Sequence, residues 1–371
     1  MQMAGKCSGV VEVMTSVGKR FGLGLLMIAA SSVGASATIQ NATPLPAPTS
    51  PLARRAVAPA PPYIRDRVDE LGRSFSGRVG IAVRSIDEGW ATGWKADELY
   101  PQQSVSKLWV SITAMDAVDK GRVSLDDQVT LGRSDLTLFH QPIAEKILGG
   151  GHTTTLGALM FTAITESDNT ANDKLMRSVG GPQAVRDVIA RKALGSIRFY
   201  NGERALQSRV AGLIWSQSYS IGNAFYAARN ALPMAVRKAA FERYISDPYD
   251  GASPHAIASA LAALKRGELL GPASTARLLS TMGQTRTGKL RVRAALSPGW
   301  DWNHKTGTGQ ELNGRIGGIN DIGLLTAPDG SVYAIAIMTI PSNNSDGAAQ
   351  ELMRNLAKAV IAAHAGRART N

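Results

Sequence analysis

The 371-residue chain contains one cysteine, Cys7, which lies close to the N-terminus. A basic pair, Lys19-Arg20, precedes an apolar run from Phe21 to about Val33, and Ala35-Ser36-Ala37 follows it. This order of basic, apolar and small residues is typical of a secretory signal peptide. We expect cleavage near Ala37, which removes Cys7. The mature chain then has no thiol, and this excludes a cysteine nucleophile, a thiolate metal site and any disulfide.

The sequence also lacks a hydrophobic run long enough to cross a bilayer. The run from Phe21 to Val33 is shorter than the roughly 20 apolar residues that a spanning helix needs. The alternative interpretation, a membrane anchor, is therefore disfavoured. We expect an exported, periplasmic protein without stable membrane insertion. Met14, which precedes the run, is a second candidate for the start of the chain.

Clustered charge is absent as well. The formal net charge is +12, yet no run of Lys or Arg exceeds two residues. Residues 1–37 carry three basic residues and one acidic residue, so the mature chain keeps a net charge of about +10. A basic protein can bind nucleic acid, but scattered charge in an exported protein favours small anionic ligands. Because no His, Asp or Glu cluster has metal-ligand spacing, we expect no metal and no cofactor. We expect no nucleic-acid partner and a monomer.

Proline and alanine dominate residues 38–62, which predicts an extended linker without a core of its own. Structured patterns begin at Tyr63. They predict helices over 63–74, 104–119, 171–178, 254–266 and 346–364, and strands over 78–86, 89–94, 300–305, 317–326 and 331–340. Asp321 and Asp329 are interpreted as turn residues.

Strands therefore lie at both ends of the chain and helices in the middle. This order predicts an α/β (α+β) catalytic domain over 63–371. Its antiparallel sheet is built from 63–100 and 291–365 and is flanked by helices, and an all-helical subdomain over 101–290 is inserted between them. Clefts between such units are preferred ligand sites.

Three short motifs carry candidate chemistry. Ser104 and Lys107 lie three residues apart at a helix start, so they share one helix face. A serine becomes a useful nucleophile when a base takes its proton, and a desolvated lysine can be that base. The motif alone is weak, because Ser16 and Lys19 in the signal peptide show the same spacing. An ordinary helix start is the alternative.

The second motif is Ser167-Asp168-Asn169. Its hydroxyl can relay a proton and its amide can hold a substrate carbonyl, although all three residues are also common helix caps. The third is Lys305-Thr306-Gly307, which follows a strand pattern. A lysine and a hydroxyl at a strand edge can bind a carboxylate, and the Thr308 N–H can pair with that of Ser104 as an oxyanion hole. An edge strand made soluble by lysine is the alternative.

Taken together and in this order, the motifs match the Ser-x-x-Lys, Ser-Asp-Asn and Lys-Thr-Gly set of penicillin-binding proteins and class A serine β-lactamases. The chain resembles that superfamily over about residues 63–365, and class A most of all. The resemblance implies a β-lactamase/transpeptidase-like fold, with Ser104, Lys107 and Ser167 as catalytic residues. It implies that Asn169, Lys305 and Thr306 bind substrate, with Gly307 and Thr308 beside them.

The resemblance also places a deacylating glutamate at Glu203, a residue that penicillin-binding peptidases lack. Gln207 stands where the family has an asparagine, and its amide can still orient a water. His140 matches the position of an aromatic residue at the cavity mouth. We expect Arg315 to supply a second cation for the substrate carboxylate. An exposed histidine and a solvated arginine are the respective alternatives.

The sequence departs from the family around Glu203. The loop that carries it closes at Asp250, 47 residues later, so a segment of about 211–245 is inserted. We expect this segment to form helices that roof or widen the cleft. Asn201 replaces the arginine that braces the loop aspartate. The predicted function is hydrolysis of the β-lactam amide, which confers antibiotic resistance. The alternatives are a D-Ala-D-Ala peptidase or cell-wall hydrolase, and a non-enzymatic β-lactam-binding module.

Overall fold

The computed structural model describes residues 58–342 and 346–367. The predicted signal peptide with Cys7, and the first part of the predicted linker, lie outside the described residues. A six-stranded sheet has the order β1-β3-β2-β10-β9-β6, and every neighbouring pair is antiparallel except β1 and β3. Its strands are β1 (Ala58–Pro59), β2 (Gly77–Ser85), β3 (Trp90–Trp94), β6 (Asp301–Thr308), β9 (Ile319–Thr326) and β10 (Val332–Pro341).

Two helices from opposite ends of the chain cover one face of this sheet. They are α1 (Pro62–Ser74) and α12 (Asp346–Arg367). Along β10, Tyr333, Ile335 and Ile337 pack with these helices in one hydrophobic cluster, whereas the alternate residues Ala334 and Ala336 belong to another. A strand alternates its side chains between two faces, so β10 is buried on both sides. This explains its continuous apolar sequence.

The remaining helices form the middle of the chain. They are α2 (Lys107–Asp119), α3 (Ala144–Leu148), α4 (Leu156–Thr165), α5 (Asn169–Ser178), α6 (Gly181–Arg191), α7 (Glu203–Val210), α8 (Ala224–Ala231), α9 (Met234–Ser246), α10 (Pro254–Lys265) and α11 (Pro272–Gly283). Helix α2 is buried on nearly all sides, as expected for a central helix. The mixed fold confirms the predicted fold class.

Three sequence-based expectations need correction. The middle of the chain is not all helical, because β4 (Gln128–Leu131) and β5 (His152–Thr155) pair in a small antiparallel sheet. Another short pair, which the sequence patterns did not predict, consists of β7 (Glu311–Leu312) and β8 (Arg315–Ile316) and forms a separate antiparallel sheet. The end of the predicted linker is ordered, since β1 pairs with β3 and Ala60 is buried in the core. Short polar strands and a Pro-rich edge strand carry weak sequence patterns, because tertiary partners hold them.

Candidate active site

Ser104 and Lys107 meet at the start of the central helix. Residues Gln103–Ser106 form a 3₁₀ turn that continues directly into α2, rather than the single α-helix predicted over 104–119. Lys107 Nζ lies 2.7 Å from Ser104 Oγ. The lysine side chain is fully buried and also donates to Asn169 Oδ1 at 2.8 Å and to a Glu203 carboxylate oxygen. A buried lysine with three oxygen partners is placed to exchange a proton with the serine.

The backbone before Ser104 is held tightly against the sheet. Asn320 Nδ2 donates to the carbonyls of Pro101 and Gln102, at 2.8 and 3.1 Å. A Cβ added to Gly307 would lie 2.5 Å from the Gln102 carbonyl oxygen, so only glycine allows β6 to come this close. Gln103 has a φ of +55°, a strained conformation of the kind that clusters at functional sites. The close approach brings Thr308, at the end of β6, into the cavity lined by Ser104.

The second motif is both a helix cap and part of the site. Asp168 accepts hydrogen bonds from the N–H groups of Ala171 and Ile143, at 2.8 and 2.7 Å, and so caps α5. Ser167, with a φ of +63°, faces the opposite way and accepts from Lys305 Nζ at 2.8 Å. The cap therefore fixes the serine hydroxyl beside the third motif.

Lys305 lies beneath the cavity rather than in its wall. It is fully buried, and its Nζ also donates to the Thr306 carbonyl at 2.9 Å. Burial, and then the nearby Lys107 charge, lower the pKa of Lys305 well below its usual range. Thr306 lines the cavity, and its hydroxyl lies 2.6 Å from that of Thr287.

A buried hydrogen-bonded pair next to Lys305 corrects one turn assignment. Asp321 lies inside β9, fully buried, and its Oδ1 is 2.7 Å from His304 Nδ1. Asp321 is therefore not a turn residue, because β9 begins before it; Asp329 does lie in a turn. The sequence around Lys305 predicted a strand but did not show that His304 contacts Asp321. That contact arises only because β6 pairs with β9.

Glu203 is the first residue of α7, and its side chain reaches Lys107. One carboxylate oxygen binds Lys107, and the other accepts from Gln207 Nε2 at 3.1 Å. The Glu203 N–H donates to Asp173 Oδ1 at 2.8 Å. Gly202 has a φ of +86°, and an added Cβ would lie 2.9 Å from that same oxygen. Glycine therefore lets the chain pass Asp173 and turn Glu203 inward.

The loop after Glu203 is braced without the arginine that Asn201 replaces. Asn201 instead accepts from Arg186. Asp250 accepts from the Gln103 N–H at 2.8 Å and from Tyr244 Oη at 2.9 Å, and within the described ranges it forms no ion pair. Burial raises the pKa of Asp250 to about 7. Tyr244 belongs to the inserted segment, so the insertion supplies the brace that the missing arginine would have provided.

The cavity at Ser104 has a volume of about 650 Å³. The predicted residues Ser167, Asn169, Gln207, Thr306, Thr308 and His140 line it, together with Phe139, Thr287 and Arg291. His140 Nε2 lies 2.7 Å from the Glu166 carbonyl oxygen. The inserted segment, which forms a 3₁₀ turn at Gln217–Ser220 followed by α8 and α9, contributes Tyr226, Arg229 and Arg237 to the wall.

The prediction that Arg315 supplies a second cation for the substrate carboxylate is wrong. Arg315 does not line the cavity, and its Nη1 forms an ion pair with Glu242 Oε1 at 2.5 Å. The arginine that lines the cavity beside Thr306 and Thr308 is Arg291. Its Nη2 donates to Thr308 Oγ1 at 2.7 Å and its Nη1 to the Gly307 carbonyl at 3.1 Å. Sequence reasoning missed Arg291 because it precedes the strand and belongs to no motif.

Two negative findings concern the described part of the chain only. Within residues 58–342 and 346–367, no three His, Cys, Asp or Glu side chains converge as metal ligands. No helix in the same ranges combines the length and apolar character that crossing a membrane requires.

The fold and this arrangement of side chains define a serine hydrolase with a lysine and a glutamate beside its nucleophile. Comparison with known proteins gives the family. The model of the "Beta-lactamase enzyme family" matches residues 63–364. Beta-lactamase VEB-1 of Pseudomonas aeruginosa is 22% identical over 293 residues, covering 79% of this chain and 87% of that protein. Beta-lactamase CTX-M-97 of Escherichia coli is 27% identical over 262 residues, covering 71% and 76%.

A solved structure agrees with these relatives. A β-lactamase from Chitinophaga pinensis DSM 2588 superposes with a TM-score of 0.67 and 26% identity, covering 81% of this chain and 99% of that one. The chain belongs to the beta-lactamase enzyme family. This finding confirms the resemblance to class A and the assignment as a serine β-lactamase that the three motifs predicted.

Proposed function

We propose that the mature protein hydrolyses the β-lactam amide of penicillins and cephalosporins through an acyl-enzyme on Ser104, and thereby confers antibiotic resistance. One observation carries the proposal: buried Lys107 contacts both the Ser104 hydroxyl and the Glu203 carboxylate. A nucleophile, its base and a second carboxylate then share one proton-transfer network. Such a network can serve both formation and hydrolysis of an acyl-enzyme.

Acylation begins with removal of the Ser104 proton. Lys107 can take it directly across 2.7 Å once its own proton has passed to Glu203, and Glu203 acting through water is the alternative base. The serine oxygen attacks the lactam carbonyl. The developing oxyanion is stabilised by the N–H groups of Ser104 and Thr308, which both border the cavity.

The leaving nitrogen receives its proton from Ser167. Because Ser167 Oγ accepts a hydrogen bond from Lys305 Nζ, the serine's own hydrogen is free to point into the cavity. The lowered pKa of Lys305 favours return of a proton to Ser167. The substrate carboxylate binds at Thr306 with Arg291, and Asn169 holds the side-chain amide of the substrate.

Deacylation depends on Glu203. The proton that Lys107 took from Ser104 first replaces the one delivered to the leaving nitrogen, and Glu203 then returns its own proton to Lys107 and is again a carboxylate. Its carboxylate is 2% exposed, and its two oxygens are held by Lys107 and Gln207. A carboxylate held in this way can accept a proton from a water that attacks the ester carbonyl. Gln207 also lines the cavity, so its amide is placed to orient that water.

Steady-state hydrolysis of a chromogenic cephalosporin by the purified mature protein tests the proposal, with intact-mass analysis of the same sample. We expect many turnovers per enzyme and no lasting adduct from the wild type. Ser104→Ala should abolish turnover and should form no adduct. One equivalent of trapped adduct without turnover would refute hydrolysis and support the peptidase or the binding module.

Two further predictions concern the location of the protein and its oligomeric state. We propose that the chain acts in the periplasm after cleavage behind Ala37; the mass of the protein recovered from a periplasmic extract should then correspond to a chain that begins at Thr38. A protein that stays in the cytoplasm at full length would contradict export. The monomeric state is checked by light scattering on the same preparation.

A further inference from the structure

The inserted segment is fixed firmly beside the cavity. Phe225 of α8 is buried and packs edge-on against Phe139, with 4.9 Å between ring centroids. Gln141 Nε2 donates to the Ser220 carbonyl at 2.8 Å. On the other side of the segment, Phe241 of α9 is buried in a hydrophobic cluster with Ile340, which lies near the end of β10. These contacts place the residues of α8 and α9 that face the cavity.

Two of those residues are arginines without a partner for their charge. Arg229 and Arg237 line the cavity with Ser104. Within residues 58–342 and 346–367, neither guanidinium has a carboxylate within 4.0 Å, and both Nε atoms are buried without a hydrogen-bond partner. The acidic residue of the cavity wall, Glu311, forms no ion pair with either of them. By contrast, Arg315 on the neighbouring hairpin is paired with Glu242.

The arginines are close enough to affect each other. Burial, and then the neighbouring Arg237 charge, lower the pKa of Arg229 from its ordinary value. The Arg229 guanidinium lies over the rings of Tyr226 and Phe225, with 5.3 and 5.9 Å to the centroids. Two like charges beside one apolar wall repel each other, and an anion placed between them relieves that repulsion.

The pair also lines a second recess, of which Arg291 is not a part. Arg291 binds the end of β6, next to Thr306 and Thr308. Arg229 and Arg237 instead border a recess with Gln310, whose amide donates to Gln207. With the ring carboxylate at Arg291 and the side-chain amide at Asn169, as proposed above, we expect the acylamino side chain to extend along the part of the cavity wall that Gln207 lines.

We propose that Arg229 and Arg237 form a second anion subsite, which selects β-lactams whose acylamino side chain carries a carboxylate. Guanidinium groups bind carboxylates through strong, charge-assisted hydrogen bonds. Tyr226 and Phe139 supply apolar surface for an aromatic group next to that carboxylate. The inference rests on the proposed hydrolysis and adds the class of substrate that the inserted segment favours.

A charge series on one side chain tests the subsite. Benzylpenicillin, its α-amino derivative ampicillin and its α-carboxy derivative carbenicillin differ only at the α-carbon. We expect the double variant Arg229→Gln/Arg237→Gln to lower the ratio of kcat/KM for carbenicillin over benzylpenicillin roughly tenfold, a typical effect for loss of hydrogen bonds to a charged group. The ratio for ampicillin should stay level or rise, because a repelling charge is gone.

The matched control is Arg243→Gln. Arg243 lies on the same helix as Arg237, is exposed and does not line the cavity, so this variant makes the charge change of the single variant Arg237→Gln at another place. It should leave the carbenicillin ratio unchanged. In the wild type, the carbenicillin preference should shrink as salt rises from about 50 mM to about 500 mM, because salt screens the charges.

The outcomes separate this inference from the proposed function. If the wild type hydrolyses none of the three penicillins, the proposed function fails. If it hydrolyses benzylpenicillin while the double variant keeps the wild-type carbenicillin ratio, the anion subsite alone is refuted. Should the double variant melt before the assay temperature, the single variant Arg237→Gln gives the same comparison. Arg229→Lys/Arg237→Lys, which keeps both charges, should then retain most of the carbenicillin ratio.

Discussion

Replacing Glu203 with glutamine separates formation of the acyl-enzyme from its hydrolysis. The side chain keeps its size, and its remaining oxygen can still accept from Lys107. The amide nitrogen then faces Gln207 Nε2, which now donates to Glu203 at 3.1 Å, so Gln207 must turn over. Turning it would lose the contact between Gln207 Oε1 and Gln310 Nε2, 3.0 Å in length. The glutamine therefore has neither the basicity nor the water-binding geometry of the carboxylate.

The expected loss of rate in Glu203→Gln follows from the role of Glu203 as a general base. Loss of such a base slows a reaction by about 10²–10⁴-fold, which corresponds to about 3–5 kcal/mol in the barrier. We expect deacylation to slow by this factor. Acylation should suffer less, because Lys107 still contacts Ser104 and loses the carboxylate that favours its charged form, so it can release its proton to solvent and act as the base. A stability loss accompanies the change: removing one partner of a buried ion pair costs about 3–5 kcal/mol, less if Lys107 gives up its proton.

Stopped-flow hydrolysis of a chromogenic cephalosporin, with intact-mass analysis, measures both steps. The variant should give a burst of about one equivalent, then slow turnover, and a mass adduct on Ser104. Glu242→Gln is the control, since Glu242 also pairs with a cation, Arg315, but lies outside the cavity wall. It should turn over like the wild type. Wild-type turnover without an adduct in Glu203→Gln would refute the assignment of Glu203 to deacylation.

Three other substitutions test the site and its support. Arg291→Gln should lower kcat/KM for β-lactams about tenfold, as expected for loss of a charge-assisted contact with the ring carboxylate. Arg293→Gln, which changes an arginine outside the cavity wall, is its kinetic control. Equal effects of the two variants would contradict a role of Arg291 in substrate binding. Asp250→Asn should flatten the pH dependence of the melting temperature. Folded Asp250 holds its proton up to about pH 7 whereas the unfolded side chain releases it near 3.8, so wild-type stability falls as the pH rises between these values; an unchanged slope would refute the raised pKa. Gly202→Ala should destabilise the folded protein by about 1–3 kcal/mol through strain and should slow deacylation. Gly222→Ala is its control: Gly222 has a φ of +65° but open space around it, so this variant should lower only the melting temperature. Equal loss of deacylation in both variants would argue against a clash at Asp173.

The motifs predicted the centre of the site because their chemistry depends on local spacing. Ser104 and Lys107 share a helix face at any position of that helix in the fold. The Ser167 segment caps a helix, which is also a local property, and Lys305 lies on a strand that its own sequence predicts. Their order along the chain, matched to a known set, made the function predictable.

Residues outside those motifs were predicted less well. Arg315 was chosen because it follows the third motif, but the hairpin of β7 and β8 turns it towards Glu242. Arg291 comes from an irregular segment whose path depends on where β6 ends. Asp321 was interpreted as a turn residue. A buried aspartate needs a polar partner, and a pattern read along the chain does not show that His304 on the next strand supplies it.

Sequence alone predicts the nucleophile, its lysine, the two further motifs and the order of strands and helices. Each of these depends on neighbours within a few residues, or on an order that the family shares. The tertiary structure alone decided how Glu203 returns to Lys107 past Gly202, and that Tyr244 braces Asp250 in place of an arginine. It alone brought two arginines of the insertion to the cavity that holds Ser104. These contacts join residues far apart in the chain, and packing sets them rather than any local pattern.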